Sequence, residues 1–331
     1  MNRWQLQMSA IIIAFAFLLV LPLFLSTGYA VNALISTVMW IIFALSFDLS
    51  AGHVGTVSLG HGVFFGAGAY VTAILAPDWG LGYTGSMLLS AVTMGVLALI
   101  AGIAFFRIRE VSFAIGTLGA LIIAQLVVNN AYDITGGPMC MQSVPRPIVD
   151  LPFMSGPRII TSPTDYYYLL LPLLLITVVI YSLVTTSRLG RAFAAVRQDE
   201  VRASAMGIYP LRYKLLAFVI GGTLIGALGS FQAQYVTVVC PSEFALTYTL
   251  NLLIIVFVGG AGSMRGVIIG AIIFTVLPRI LELVGGSAIS PAYQQVAYGI
   301  ILLLVVRFMP GGIDSLIDKS LSRNSQVQHD G

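Results

Sequence analysis

Charge is what this chain has least of. Only 9% of its 331 residues are Asp, Glu, Lys or Arg, where a soluble globular domain carries about 25%. A water-soluble fold of this length could not cover its surface with so few, and composition excludes that class. Lysine is reduced to Lys214 and Lys319. Neither follows a glycine run, so the GxxxxGK[ST] loop that cradles nucleotide phosphates is absent and the chain hydrolyses no nucleotide through it. The three histidines and two cysteines stand at no metal-ligand spacing. HExxH and GxSxG are missing, which leaves an enzyme reading little to stand on and implies no cofactor. No basic patch with interleaved aromatics appears, so nucleic acid is not an expected partner.

What is present is apolar. Hydrophobic residues make up 58% of the chain and mean hydropathy is +0.97. Runs of bilayer-spanning length recur at about 8–27, 31–50, 56–76, 85–106, 111–130, 166–186, 214–238, 246–260, 266–284 and 292–309. The expected fold is therefore all-α: a single polytopic membrane domain of about ten transmembrane helices filling 1–331. The first run could be a signal peptide cut after Ala30. Its apolar stretch approaches the roughly 20 residues of a span, and we read it as retained.

The basic residues set an orientation. Six of the sixteen lie in Ser187–Lys214, between two apolar runs. Placing that segment in the cytoplasm puts Arg3, Arg107, Arg109, Arg265, Arg307, Lys319 and Arg323 there too, as the positive-inside bias requires. Only Arg146 and Arg158 then fall outside, and both termini are cytoplasmic. The external segment 131–165 is proline-rich and contains "TGGP", so it reads as a structured loop. Cys140 and Cys240 both fall on the oxidising side, where they could form a disulfide, although nothing in the sequence fixes their separation. The tail 320–331 is polar.

Within Ser187–Lys214 a helix is expected over Leu189–Met206, stopped by Gly207 and Pro210. Leu189, Phe193, Val196, Ala203 and Gly207 share a face with Glu200; Arg191, Gln198 and Arg202 lie on another. Such a helix could be an interfacial anchor or could dock into a groove on a cytoplasmic partner. Glu200 on the apolar stripe suits the partner better, unless it is bonded to Arg197.

Small residues recur every four positions: Ser58, Gly62, Gly66; Gly222, Gly226, Ser230; and Gly262, Gly266, Gly270. Each set would form a stripe for close helix packing. "GVFFGA" at Gly62–Ala67 resembles "GVIIGA" at Gly266–Ala271, a trace of duplication or a chance likeness of two glycine-striped spans. Ionisable residues within spans are few. Asp48 lies near the inner end of the second run, Arg279 and Glu282 could pair on one helix, and His53 and His61 flank the third. The uncharged candidates for a translocation path are Gln125, Asn129 and Asn251, with Gln294 and Gln295. Each could equally bond between helices.

The segment "GRAFAAVRQDEVRASAMGIYPLRYKLLAFVIGG" is similar to the signature of branched-chain amino acid ABC transporter permeases, of the M-type subunit of the leucine/isoleucine/valine importer. "SLGHGVFFGAGAY", "TGGP", "VGGAGSMRGVIIGA" and "RFMPGGI" match further motifs of that family, in order. The resemblance implies a transport subunit in a bacterial inner membrane, paired with a second permease subunit. Two cytoplasmic ATPase subunits would drive it, and a periplasmic binding protein would deliver the substrate. The helix Arg191–Gly207 would be the coupling helix, with Arg191, Arg197, Glu200, Ala205 and Gly207 at positions the motif marks. Two departures bear on substrate: Met139, Cys140 and Met141 follow "TGGP" where the family has Asn-Gly, and Asn251 stands where a glutamate is common. Relatives carry urea, short amides or other amino acids on the same scaffold. A stand-alone secondary transporter or channel is the rival reading, and the coupling charges it would need are scarce.

Overall fold

The computed structural model describes residues 15–24, 27–108, 110–142, 144–149, 158–285, 296, 299, 307 and 312–315. The last apolar run and the tail lie almost wholly outside these residues. The principal helices are α1 (Gly28–Asp48), α2 (His61–Asp78), α3 (Tyr83–Phe105), α4 (Glu110–Asn130), α5 (Pro163–Thr186), α6 (Arg188–Gln198), α7 (Glu200–Ala205), α8 (Pro210–Val236), α9 (Leu246–Gly259) and α10 (Met264–Gly285). Five of the described helical segments are long and apolar enough to cross a membrane: 28–53, 83–105, 112–130, 163–186 and 210–236. The all-α polytopic expectation stands, and the helices fall close to the apolar runs.

Helix ends follow local chemistry. Pro163 and Pro210 open α5 and α8 at the position where a missing N–H costs nothing. α1 does not stop at Asp48 but widens into a π-turn, Leu49–His53. α9 has 14 residues, about 21 Å of helix against a hydrocarbon core of about 30 Å.

α8 is the hub, packed chiefly on α2 and α3 and also on α1. Its glycines make this possible. A Cβ on Gly68 of α2 would stand 2.6 Å from the Gly226 carbonyl oxygen, so only a residue without a side chain admits that crossing. Ser90 of α3 closes the junction: its Oγ donates to the carbonyls of Gly226 (2.7 Å) and Gly68 (3.0 Å). α1 packs between α5 and α10, and α10 lies on α9. Around buried His61, Phe47, Phe64 and Phe218 present ring edges at 4.8–5.9 Å. α3 and α4 are largely uncovered in this single chain.

The end of the molecule opposite α6 and α7 is closed by a strap. Cys140 and Cys240 form a disulfide. Beside it β1 (Met141–Gln142) pairs with β4 (Val238–Val239) in antiparallel register. β2 (Ile148–Val149) pairs with β3 (Arg158–Ile159) further along the same loop. Beneath the strap Tyr70, Val144, Val239 and Phe244 form a small separate core.

Three sequence expectations change. Ser58 does not share a helical stripe with Gly62 and Gly66: α2 begins only at His61, and Ser58 Oγ accepts from Gly60 N (3.2 Å) in the preceding loop. Gly262 likewise stands outside α10, in a tight turn at φ +86°. Helix 189–206 is two helices. Asp199 adopts extended geometry (φ −165°, ψ 112°), and its Oδ1 caps the amides of Val201 and Arg202, which starts α7 afresh.

Candidate functional site

The basic end carries the site. α5 passes into α6 through one residue: Ser187 ends α5, and its Oγ caps α6 at Leu189 N (3.1 Å). The apolar face of α6 and α7 is spent inside the molecule. Ala192, Phe193, Val196 and Ala203 are buried, Phe193 fully, against α5, α8 and the π-turn. The surface left outward is mixed. Arg191, Ala205 and Gly207 are exposed, and Val201, Met206 and Tyr209 project as large apolar groups. The Arg212 guanidinium lies 4.8 Å over the Tyr209 ring.

Glu200 and Arg197 do not pair with each other. Glu200 forms an ion pair with Lys214 at the start of α8, which ties α7 back to a spanning helix. Arg197 turns the other way. Its Nη1 donates to the Ala261 carbonyl at 3.5 Å, and its stem lies against Gly55, so it sits between the segment after the π-turn and the α9–α10 turn.

Directly above, Asp48 is fully buried. Tyr181 OH of α5 donates to its Oδ2 at 2.6 Å, His53 Nδ1 lies 3.3 Å from the same oxygen, and the Gly262 amide donates to Oδ1 at 2.9 Å. His61 is a separate matter: its Nε2 faces Ser50 Oγ at 3.3 Å inside the aromatic cage. Arg279 lies 5.7 Å from the Tyr29 ring, and the side chain of its expected partner Glu282 lies outside the described residues.

The packing glycines have distinct neighbours. Gly62 lies by Leu121 and Thr249, Gly66 against the Phe244 ring, Gly222 against Ala98 and Phe64, and Gly226 against Met94. Gly266 and Gly270 meet Gly259 of α9 backbone to backbone. Gln125, Asn129 and Asn251 are half-buried, and their side chains make no hydrogen bond among the described residues. They do not line the groove between α2, α3 and α4, a space of about 590 Å³ walled by Val63, Ala67, Ile74, Phe105, Ala124 and Val128. Gln294 and Gln295 lie outside the described residues.

Sequence reasoning found Asp48 but not its partners Tyr181 and Gly262, which lie 133 and 214 positions away. It also missed the projecting Val201 and Met206. The one available signal was that both are apolar yet lie off the buried stripe.

Residues 29–306 match the family model described as branched-chain amino acid transport system / permease component. The chain is 28% identical over 323 residues to the high-affinity branched-chain amino acid transport system permease protein LivM of Salmonella typhimurium, covering 92% of this chain and 73% of that protein. LivM of Escherichia coli K12 is 28% identical over 309 residues (88% and 71%). LivH of the same strain is 24% identical over 291 residues (82% and 90%). No solved structure matches. A family match across most of the chain, joined to this helical membrane architecture, makes it a member of the branched-chain amino acid transport system permease family.

Proposed function

We propose that this chain is one of two permease subunits of an ATP-driven importer in a bacterial inner membrane, and that α6 and α7 are its coupling element. Two cytoplasmic ATPase subunits supply the hydrolysis that the chain has no loop to perform, and a periplasmic binding protein delivers a branched-chain or similar small amino acid. The observation that carries this reading is the two-sidedness of α6–α7. Its apolar stripe is consumed by the permease's own α5 and α8, so amphipathicity does not call for lipid. The outward tip, with Val201, Met206 and Tyr209 amid arginines, suits a protein groove. In this orientation the disulfide strap is periplasmic, where disulfides persist.

Arg191, Ala205 and Gly207 then face the ATPase. Arg197 and Glu200 anchor the element to the permease from beneath. Gln125 and Asn129 on α4 and Asn251 on α9 offer uncharged polar contacts along the substrate route. The test is reconstitution of the chain in liposomes, alone and with its ATPases, second permease and binding protein. Uptake of a branched-chain amino acid is expected only from the full set with ATP. Uptake by the chain alone under an ion gradient would overturn the reading in favour of a secondary transporter.

A further inference from the structure

Three segments distant in sequence (48–53, α5 and the α9–α10 turn) converge on one carboxylate at the inner end of the bundle. Asp48 closes α1 just where the helix widens into the π-turn. It receives Tyr181 from α5, His53 from the far side of that turn, and the Gly262 amide from the turn between α9 and α10. The fit is close. A Cβ added to Gly52 would stand 2.5 Å from the Gly262 nitrogen, so the π-turn and the α9–α10 turn touch backbone to backbone with the carboxylate wedged beside them.

Arg197 holds the same two segments from below, its stem on Gly55 and its guanidinium on Ala261 and Gly262. Gly262 is itself at φ +86°, where a side chain would be strained and would meet Arg197. Asp48 is fully buried and is not among the residues that line the groove between α2, α3 and α4. Its partners Tyr181, His53 and Gly262 lie on α5, the π-turn and the α9–α10 turn.

We propose that Asp48 is a positioning residue for transport. It joins α1, α5 and the α9–α10 turn into one unit, and Arg197 drives that unit when the coupling element is displaced. This inference rests on the coupling role of α6–α7 proposed above. A carboxylate suits the task because it can accept from a phenol and an amide at once.

The experiment uses the full complex in liposomes and reads two quantities, amino acid taken up and ATP hydrolysed. Asp48→Asn keeps the shape but loses the paired acceptor. It is expected to leave assembly and ATP hydrolysis in place and to lower uptake per ATP at least tenfold. Tyr181→Phe, which keeps the ring and removes one bond to the carboxylate, is expected to lower the same ratio by several-fold. It serves alone if Asp48→Asn does not assemble. Arg197→Ala is expected to lower the ratio as well, and the Asp48→Asn/Arg197→Ala double variant to be no worse than the poorer single one. A purely structural role would lower the unfolding midpoint and leave the ratio intact. A wild-type ratio in Tyr181→Phe and Asp48→Asn, or effects of Asp48 and Arg197 that simply multiply, would overturn the inference. Failure of the wild-type chain to bind its ATPases would instead overturn the coupling reading beneath it.

Discussion

Replacing Val201 and Met206 together by serine separates the two faces of the proposed coupling element. Val201 is 80% exposed and Met206 70% exposed, so neither supports the fold, and surface changes of this kind stay within about 0.5 kcal/mol of wild-type stability. Fully burying a Val or Met side chain contributes about 1.5–3 kcal/mol. With most of that surface still free, a partner that covers it gains about 1–2 kcal/mol from each. Losing both should cost the complex about 3 kcal/mol, roughly a hundredfold in Kd. The measurement is titration of purified ATPase subunit against the permease in nanodiscs, with the unfolding midpoint as control. Phe193→Ala makes the opposite case. That ring is fully buried against the permease, and removing it should cost about 3–5 kcal/mol of stability. An unchanged Kd in the serine variant would refute the docking of this tip.

Removing the Cys140–Cys240 link, which closes a separation of 100 residues, should cost about 4.7 kcal/mol in the chain-entropy picture. A lowered unfolding midpoint in the double serine variant would show it, and an unchanged midpoint would argue that the strap is held by its strands alone. Reversing Glu200 to Lys or Lys214 to Glu should each weaken the hold of α7 on α8. The pair is partly exposed, so the coupling energy is roughly 1 kcal/mol, recovered in the swapped double variant and read from a thermal double-mutant cycle. Because both native cysteines are joined, a cysteine placed at Gln125, Asn129 or Asn251 is the only free thiol. If these positions border the route, substrate with binding protein should slow its labelling, and unprotected labelling at all three would remove them from the path.

The helices were legible because a bilayer imposes a length and an apolar composition that no tertiary contact has to supply. The positions of α3, α5 and α8 follow from that constraint. The errors lie where backbone geometry, not hydropathy, decides. Ser58 and Gly262 sit at the right spacing for a stripe, yet each is in a turn before its helix. Asp199 reads as one more polar residue on a helix face, but its side chain bonds the next two amides and begins a new helix. Glu200 and Arg197 look like a pair from their spacing of three, but Glu200 is drawn to Lys214 of α8 and Arg197 to the Ala261 carbonyl in the α9–α10 turn. Of the Asp48 cluster the sequence showed the acid and His53, but not Tyr181 and Gly262 as its partners, because periodicity carries no information on contacts between residues more than a hundred positions apart.

A coupling element works only if its displacement reaches the spans without slack, and the joints of α6 and α7 differ in this respect. Towards α5 there is none: Ser187 is at once the end of one helix and the cap of the next, and Gly190 is pressed onto the Thr185 carbonyl so closely that a Cβ would not fit. Tyr181, on the last two turns of α5, holds Asp48. On the proposed coupling role, motion of α6 would reach the inner end of α1 by two routes, through the α5 backbone and through Arg197. Towards α8 the connection is looser: Gly207 stands at φ +80°, and Tyr209 is extended before Pro210 restarts the helix. There the Glu200–Lys214 ion pair is what limits play. The asymmetry assigns the stiff arm to the side that leads to Asp48 and the compliant arm to the glycine-packed hub α8, whose close crossings with α2 and α3 leave it little room to move.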